Sequence, residues 1–207
     1  SKGTGIKTDS FAKHCDPEML RYYFAAKLND KVEDIDLNLE DFTQRINSDL
    51  VGKYLNILSR SSTFIQKNDG DLSDSVDTIL IDEIIQNADQ IKEFFELRQY
   101  SKAIRLIMDM ADLTNKYIND KTPWKLDNDE AVHVATTAIN AFRLISIFLH
   151  PVAPKLISKG FGSLGIDIQN YNNLNDQLVS TKLAKYVPLL TRMESMTLEL
   201  FNDCLLY

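Results

Sequence analysis

Apolar residues recur at three- and four-residue spacing along most of the chain, the period of an amphipathic helix. The clearest stripe is Phe42, Ile46, Leu50, Tyr54, Ile57 and Phe64. With Asn38 as a cap and Asp41 in the first turn, it predicts one helix of about seven turns. Asp69-Gly70 stops it. Similar spacing predicts further helices over 73–97, 101–119 and 129–149, the last ended by His150-Pro151. Glycine, proline and asparagine crowd residues 151–176, which read as loop with a helical turn or two. A final helix is predicted over 189–202. The start of the chain has a different pattern. Two glycines in the first five residues mark a loop, followed by a short strand. Asp16-Pro17-Glu18 is a helix start: capping acid, proline at the first helical position, acid in the first turn. That helix runs through Leu20, Tyr23, Phe24 and Leu28 and ends at Asn29-Asp30. Residues 32–37 alternate apolar and polar, as a short strand does. The expected fold is mostly α: an antiparallel helix bundle over 38–207, preceded by a small mixed α/β segment over 1–37.

Composition narrows the class. Of 207 residues, 44% are hydrophobic and 26% charged, enough for a sizeable core. No uninterrupted apolar run approaches the ~18 residues of a membrane span, so no membrane partner is expected. Cys15 and Cys204 stand far apart, and His14, His133 and His150 are scattered. Neither set has metal-ligand spacing, so no metal site is expected. Without a secretory signal or an initiator methionine, the chain reads as a piece of a longer cytoplasmic protein. The net charge of −7 argues against binding nucleic acid through clustered phosphate contacts. It leaves open the reading of a few unstacked bases by stacking and hydrogen bonds. The acid is concentrated: Asp71, Asp74, Asp77, Asp82, Glu83, Asp89, Glu93 and Glu96 face only Lys92 and Arg98. That segment is expected to be a solvated face turned away from RNA.

Two features carry candidate chemistry. The single tryptophan, Trp124, follows Pro123 directly and precedes the polar stretch from Lys125 to Glu130. A proline ends the helix before it and aims the ring outward, as a stacking platform would require. The plainer alternative is a ring folded back to cap the bundle. Asn56 and Arg60 lie one helical turn apart, off the centre and at the edge of the apolar stripe, and both are expected to reach solvent. An amide and a guanidinium so placed can read the polar edge of one base. A solvated pair without a partner is the commoner meaning of such spacing.

Several segments together resemble bacterial methionyl-tRNA synthetases, a class Ia family. They are Leu55-Asn56-Ile57-Leu58-Ser59-Arg60 on the first bundle helix and Pro123-Trp124 after the third. Ser1-Lys2-Gly3-Thr4 resembles the tail of the K-M-S-K-S loop, with Ser1 as its last serine. Leu20-Arg21-Tyr22-Tyr23 and Asp34-Ile35-Asp36-Leu37-Asn38 resemble the stem-contact region. Tyr100-Ser101-Lys102-Ala103, Asn115-Lys116-Tyr117, His150-Pro151-Val152-Ala153-Pro154 and Leu190-Thr191-Arg192-Met193-Glu194 are similar to bundle segments of this class. The isoleucyl, valyl, leucyl and cysteinyl enzymes share the bundle segments; the set of Asn56, Arg60, Pro123 and Trp124 points to methionine.

The resemblance implies an anticodon-binding domain. The residues matching Asn56, Arg60 and Trp124 would recognise the CAU anticodon of methionine tRNA, chiefly its first base, with the cytosine stacked on Trp124. The partners implied are that tRNA and the parent's own catalytic domain. The parent would use ATP, magnesium and a knuckle zinc; this chain has neither an H-I-G-H-like motif nor a cysteine cluster, so no catalytic residue and no cofactor are expected in it. At Gly52 some relatives carry an asparagine, so a contact from that turn is not expected here. Two rivals remain: the same domain of a sister synthetase, and a helical module that binds another protein through Trp124.

Overall fold

A computed structural model describes residues 8–31 and 37–194. Two short helices open it, α1 (Thr8–His14) and α2 (Pro17–Ala25), the second capped by Asp16 as expected. The strands expected before α1 and at 32–37 fall on residues outside those described, apart from Leu37, which is not in a strand. Next come α3 (Leu39–Arg45), a π-helical segment (Ile46–Tyr54) and α4 (Leu55–Lys67). The predicted seven-turn helix is therefore continuous but changes register in the middle. Its Asn38 cap accepts from the amide of Asp41 at 2.9 Å.

The helix expected over 73–97 is two helices, α5 (Thr78–Ile85) and α6 (Ala88–Glu96). Residues 73–77 are not helical: the amides of Ser73 and Asp77 donate instead to the hydroxyls of Thr136 and Thr137. Asn87 closes α5 by donating to the carbonyl of Glu83. The longest helices follow, α7 (Tyr100–Lys121) and α8 (Asn128–Leu149), joined by a 3-10 turn (Pro123–Lys125). Then comes α9 (Pro154–Leu164), an eleven-residue helix where loop was expected. Leu156, Ile157, Phe161 and Leu164 give it a buried face despite its glycines. The helix expected from residue 189 is absent over 189–194, where the chain has no regular secondary structure; the remainder lies outside the described residues. The side-chain amide of Asn47 holds that segment by two 2.8 Å bonds to the backbone of Met193.

α8 is the axis of the molecule and packs chiefly on α4 and α7. It is long and apolar enough to cross a membrane, yet 94% of that stretch is buried inside the protein, so its apolarity belongs to the core. Contacts from Asn68 to Asn128 and from Tyr54 to Ser146 run α4 antiparallel to α8. α7 is antiparallel to α8 through the short turn. α4 and α7, both opposed to α8, are parallel to each other.

Candidate nucleic-acid interface

Parallel packing of α7 against α4 and the π-helical segment before it pairs their side chains at a constant sequence offset of 59. Lys53 meets Asp112 at 2.6 Å. One turn on, Asn56 Nδ2 donates to Asn115 Oδ1 at 2.9 Å. One turn further, Arg60 Nη2 donates to Asn119 Oδ1 at 2.7 Å. Each partner recurs at three or four residues, so both helices present these groups on one face.

The third element is the turn after α7. Thr122 precedes Pro123, which disfavours the helical region for it. It adopts φ 45°, ψ 57°, the left-handed region, and its amide still donates to the carbonyl of Ile118. For a β-branched residue this conformation costs about 1–3 kcal/mol. Pro123 is buried and starts the 3-10 turn; Lys125 donates back to the carbonyl of Thr122. Asp127 then caps α8 by accepting from the amide of Glu130. Between these two fixed points the Trp124 ring projects outward, 55% exposed. The guanidinium carbon of Arg60 stands 5.8 Å from the centre of that ring, a cation–π distance. Burial holds the Arg60 pKa below its usual value, and the group remains a cation near neutrality.

The structure thus brings Asn56, Arg60 and Trp124 to one rim, with Pro123 beneath as a support. The commoner alternative, a free solvated pair, does not hold: Asn56 and Arg60 reach solvent only in part and are tied to α7. Nothing in the sequence marks Asn115 and Asn119 as site residues. Their i, i+4 spacing repeats that of Asn56 and Arg60, but nothing in the order of residues says that α7 lies beside α4. Ser1 lies outside the described residues.

The arrangement offers an aromatic face, a fork of donors and an amide, held by a rigid frame. That is the equipment for stacking one base and bonding its edge. The acidic residues of α5 and α6 are exposed as expected, while Asp77 is half-buried; it caps α5 and pairs with Lys121 at 3.4 Å. Cys15 is buried, and burial beside Asp16 pushes its thiol up to about 11. Among the described residues no three His, Cys, Asp or Glu side chains converge on a metal-sized site.

The family described as the anticodon binding domain of methionyl tRNA ligase matches residues 68–187, and the class I tRNA synthetases (M) match residues 1–62. The methionine–tRNA ligase of Psychrobacter cryohalolentis is 46% identical over 201 residues, covering 94% of this chain. That of Psychrobacter sp. PRwf-1 is 45% identical over the same length. The chain spans 29% of the length of each. In three dimensions it is similar to the apo methionyl-tRNA synthetase of Mycobacterium tuberculosis. The TM-score is 0.82 at 19% identity, covering 91% of this chain and 41% of that one. The fold, the matched residues and the identity to curated ligases agree: the chain belongs to the family of methionyl-tRNA ligase anticodon-binding domains.

Proposed function

We propose that this chain reads the CAU anticodon of methionine tRNA within a methionine–tRNA ligase of the cytoplasm. The observation that carries the reading is the half-exposed Trp124 ring beside Arg60, with Asn56 one turn away on the same helix and both α4 side chains tied to α7. A first-position cytosine stacks on Trp124, and its carbonyl and amino groups meet Arg60 and Asn56. With a net charge of −7, little affinity comes from phosphates, so discrimination rests on the base. ATP, methionine, magnesium and a knuckle zinc belong to the rest of the ligase in this reading, and the chain's own residues supply recognition.

The test compares anticodon stem-loops bearing CAU and GAU, at one stated salt, on the intact protein. CAU is expected to bind more tightly. Arg60→Ala is expected to cost about 1–3 kcal/mol of that binding, the scale of a bidentate base contact. Equal affinity for both loops overturns the reading and favours a protein-binding module.

A further inference from the structure

Asn115 holds the amide of Asn56 in one of its two orientations. Its own orientation is forced. One terminal atom of the Asn115 side chain lies 3.0 Å from the carbonyl oxygen of Lys53 and 2.9 Å from that of Ala111. Two acceptors converge on it, so it is the amide nitrogen; an oxygen there would face two oxygens. The other terminal atom, Oδ1, therefore faces Asn56. The Asn56 atom that meets it at 2.9 Å is in turn the nitrogen. This leaves Asn56 Oδ1, turned away from Asn115, as an acceptor that no donor among the described residues meets. The chain of constraint begins in the backbone: Lys53 sits at the end of the π-helical segment, just before the register returns to α at Leu55.

We infer that Asn115 is a positioning residue that sets the polarity of the site, so that Asn56 offers an acceptor and selects a base edge carrying an amino donor. The inference rests on the proposal that Asn56 meets the first anticodon base. Cytosine presents an amino group where uracil presents a carbonyl oxygen. An outward Oδ1 bonds the first and repels the second. With Asn115 removed, the Asn56 amide is free to turn over and meet uracil through its nitrogen.

The experiment measures binding of stem-loops bearing CAU and UAU to the intact protein, its Asn56→Ala variant and its Asn115→Ala variant. The unmodified protein prefers CAU, and Asn56→Ala removes that preference. Asn115→Ala is expected to lower the CAU-to-UAU ratio about tenfold, in part through tighter binding of UAU. A merely structural role would weaken both loops alike, so an unchanged ratio overturns the inference. A second measurement does not depend on the variant folding. In the unmodified protein, one side-chain amide proton of Asn56 should exchange slowly because it is bonded to Asn115. Two fast protons overturn the inference. An unmodified protein indifferent to CAU and UAU sinks the anticodon reading instead, and the exchange measurement still decides the polarity.

Discussion

Trp124 owes its exposure to its neighbours rather than to any polarity of its own. Thr122 is held in the left-handed region and Pro123 is buried, so the chain has nowhere to fold the indole but outward. Arg60 covers part of the ring and is itself anchored to Asn119. Removing such a ring opens little cavity. Trp124→Ala should cost about 1–3 kcal/mol of RNA affinity through lost stacking, with a melting temperature close to that of the parent. A stability loss of about 3–5 kcal/mol, as for a buried aromatic, would show a core residue instead. Trp124 is the only tryptophan, so indole emission reports this site alone, and a CAU stem-loop should perturb it.

Two devices act at the level of the element. The first is a polar stripe on buried α8, where Thr136, Thr137, Asn140, Arg143 and Ser146 are almost wholly inaccessible. Ser146 bonds the Tyr54 hydroxyl; the other four satisfy backbone outside α8, Thr136 and Thr137 by accepting from Ser73 and Asp77. Asn140 both donates to and accepts from Leu178, and Arg143 donates to the carbonyls of Asn173, Leu174 and Asp176. Without them the irregular stretches over α8 would bury unpaired amides and carbonyls. The second device is Glu18. Its position in the first turn of α2 suits that helix, but its carboxylate caps a different one. Oε1 and Oε2 accept from the amides of Lys155 and Leu156 at 2.7 and 2.9 Å, at the start of α9. Arg21, one turn on, donates to the carbonyl of Pro151 at 2.8 Å. Together they clamp the opening helices to the His150–Pro154 turn. Glu18 is buried, so Glu18→Ala leaves two amides unpaired. The expected loss is about 2 kcal/mol, or roughly 4–8 °C in Tm for a chain of this size. Glu18→Gln keeps one acceptor and should lose less. Unchanged melting in Glu18→Ala would mean that α9 finds another cap.

For the whole molecule, the core sets a pH limit on the alkaline side. Burial beside Asp49 raises Tyr22 well above 10.0, and burial raises Tyr54 against the lowering effect of its bond to Ser146. Burial and Asp16 push Cys15 from 9.0 to about 11. In each case the folded state keeps a proton that the unfolded state releases, so stability falls as pH rises. It is fully present below pH 9.0, declines from there to about 11 as unfolded Cys15 ionises first, and steepens above 10.0 as the tyrosines join. Melting curves across that window should show a steady fall in Tm, and phenolate absorbance of the buried tyrosines should appear only with unfolding. A flat Tm through the window would contradict this account of the core.

The order of residues determined whatever depends on near neighbours. Helix period, the caps at Asp16 and Asn38 and the stop at Asp69-Gly70 are local, and they stand in the structure. So does the exposed ring, because Pro123 acts on the adjacent residue. What failed locally failed for non-local reasons. Residues 73–77 are not helical because α8 takes the amides of Ser73 and Asp77, and α9 is helical because Glu18 and the core hold it. The site is divided in the same way. Asn56, Arg60 and Trp124 were legible as a set through family resemblance and local spacing. Their partners were not, since the offset that joins Asn56 to Asn115 and Arg60 to Asn119 exists only once α4 and α7 pack parallel against α8. A side chain's type is written in the sequence; the direction in which its amide points is decided by the acceptors that folding brings to it.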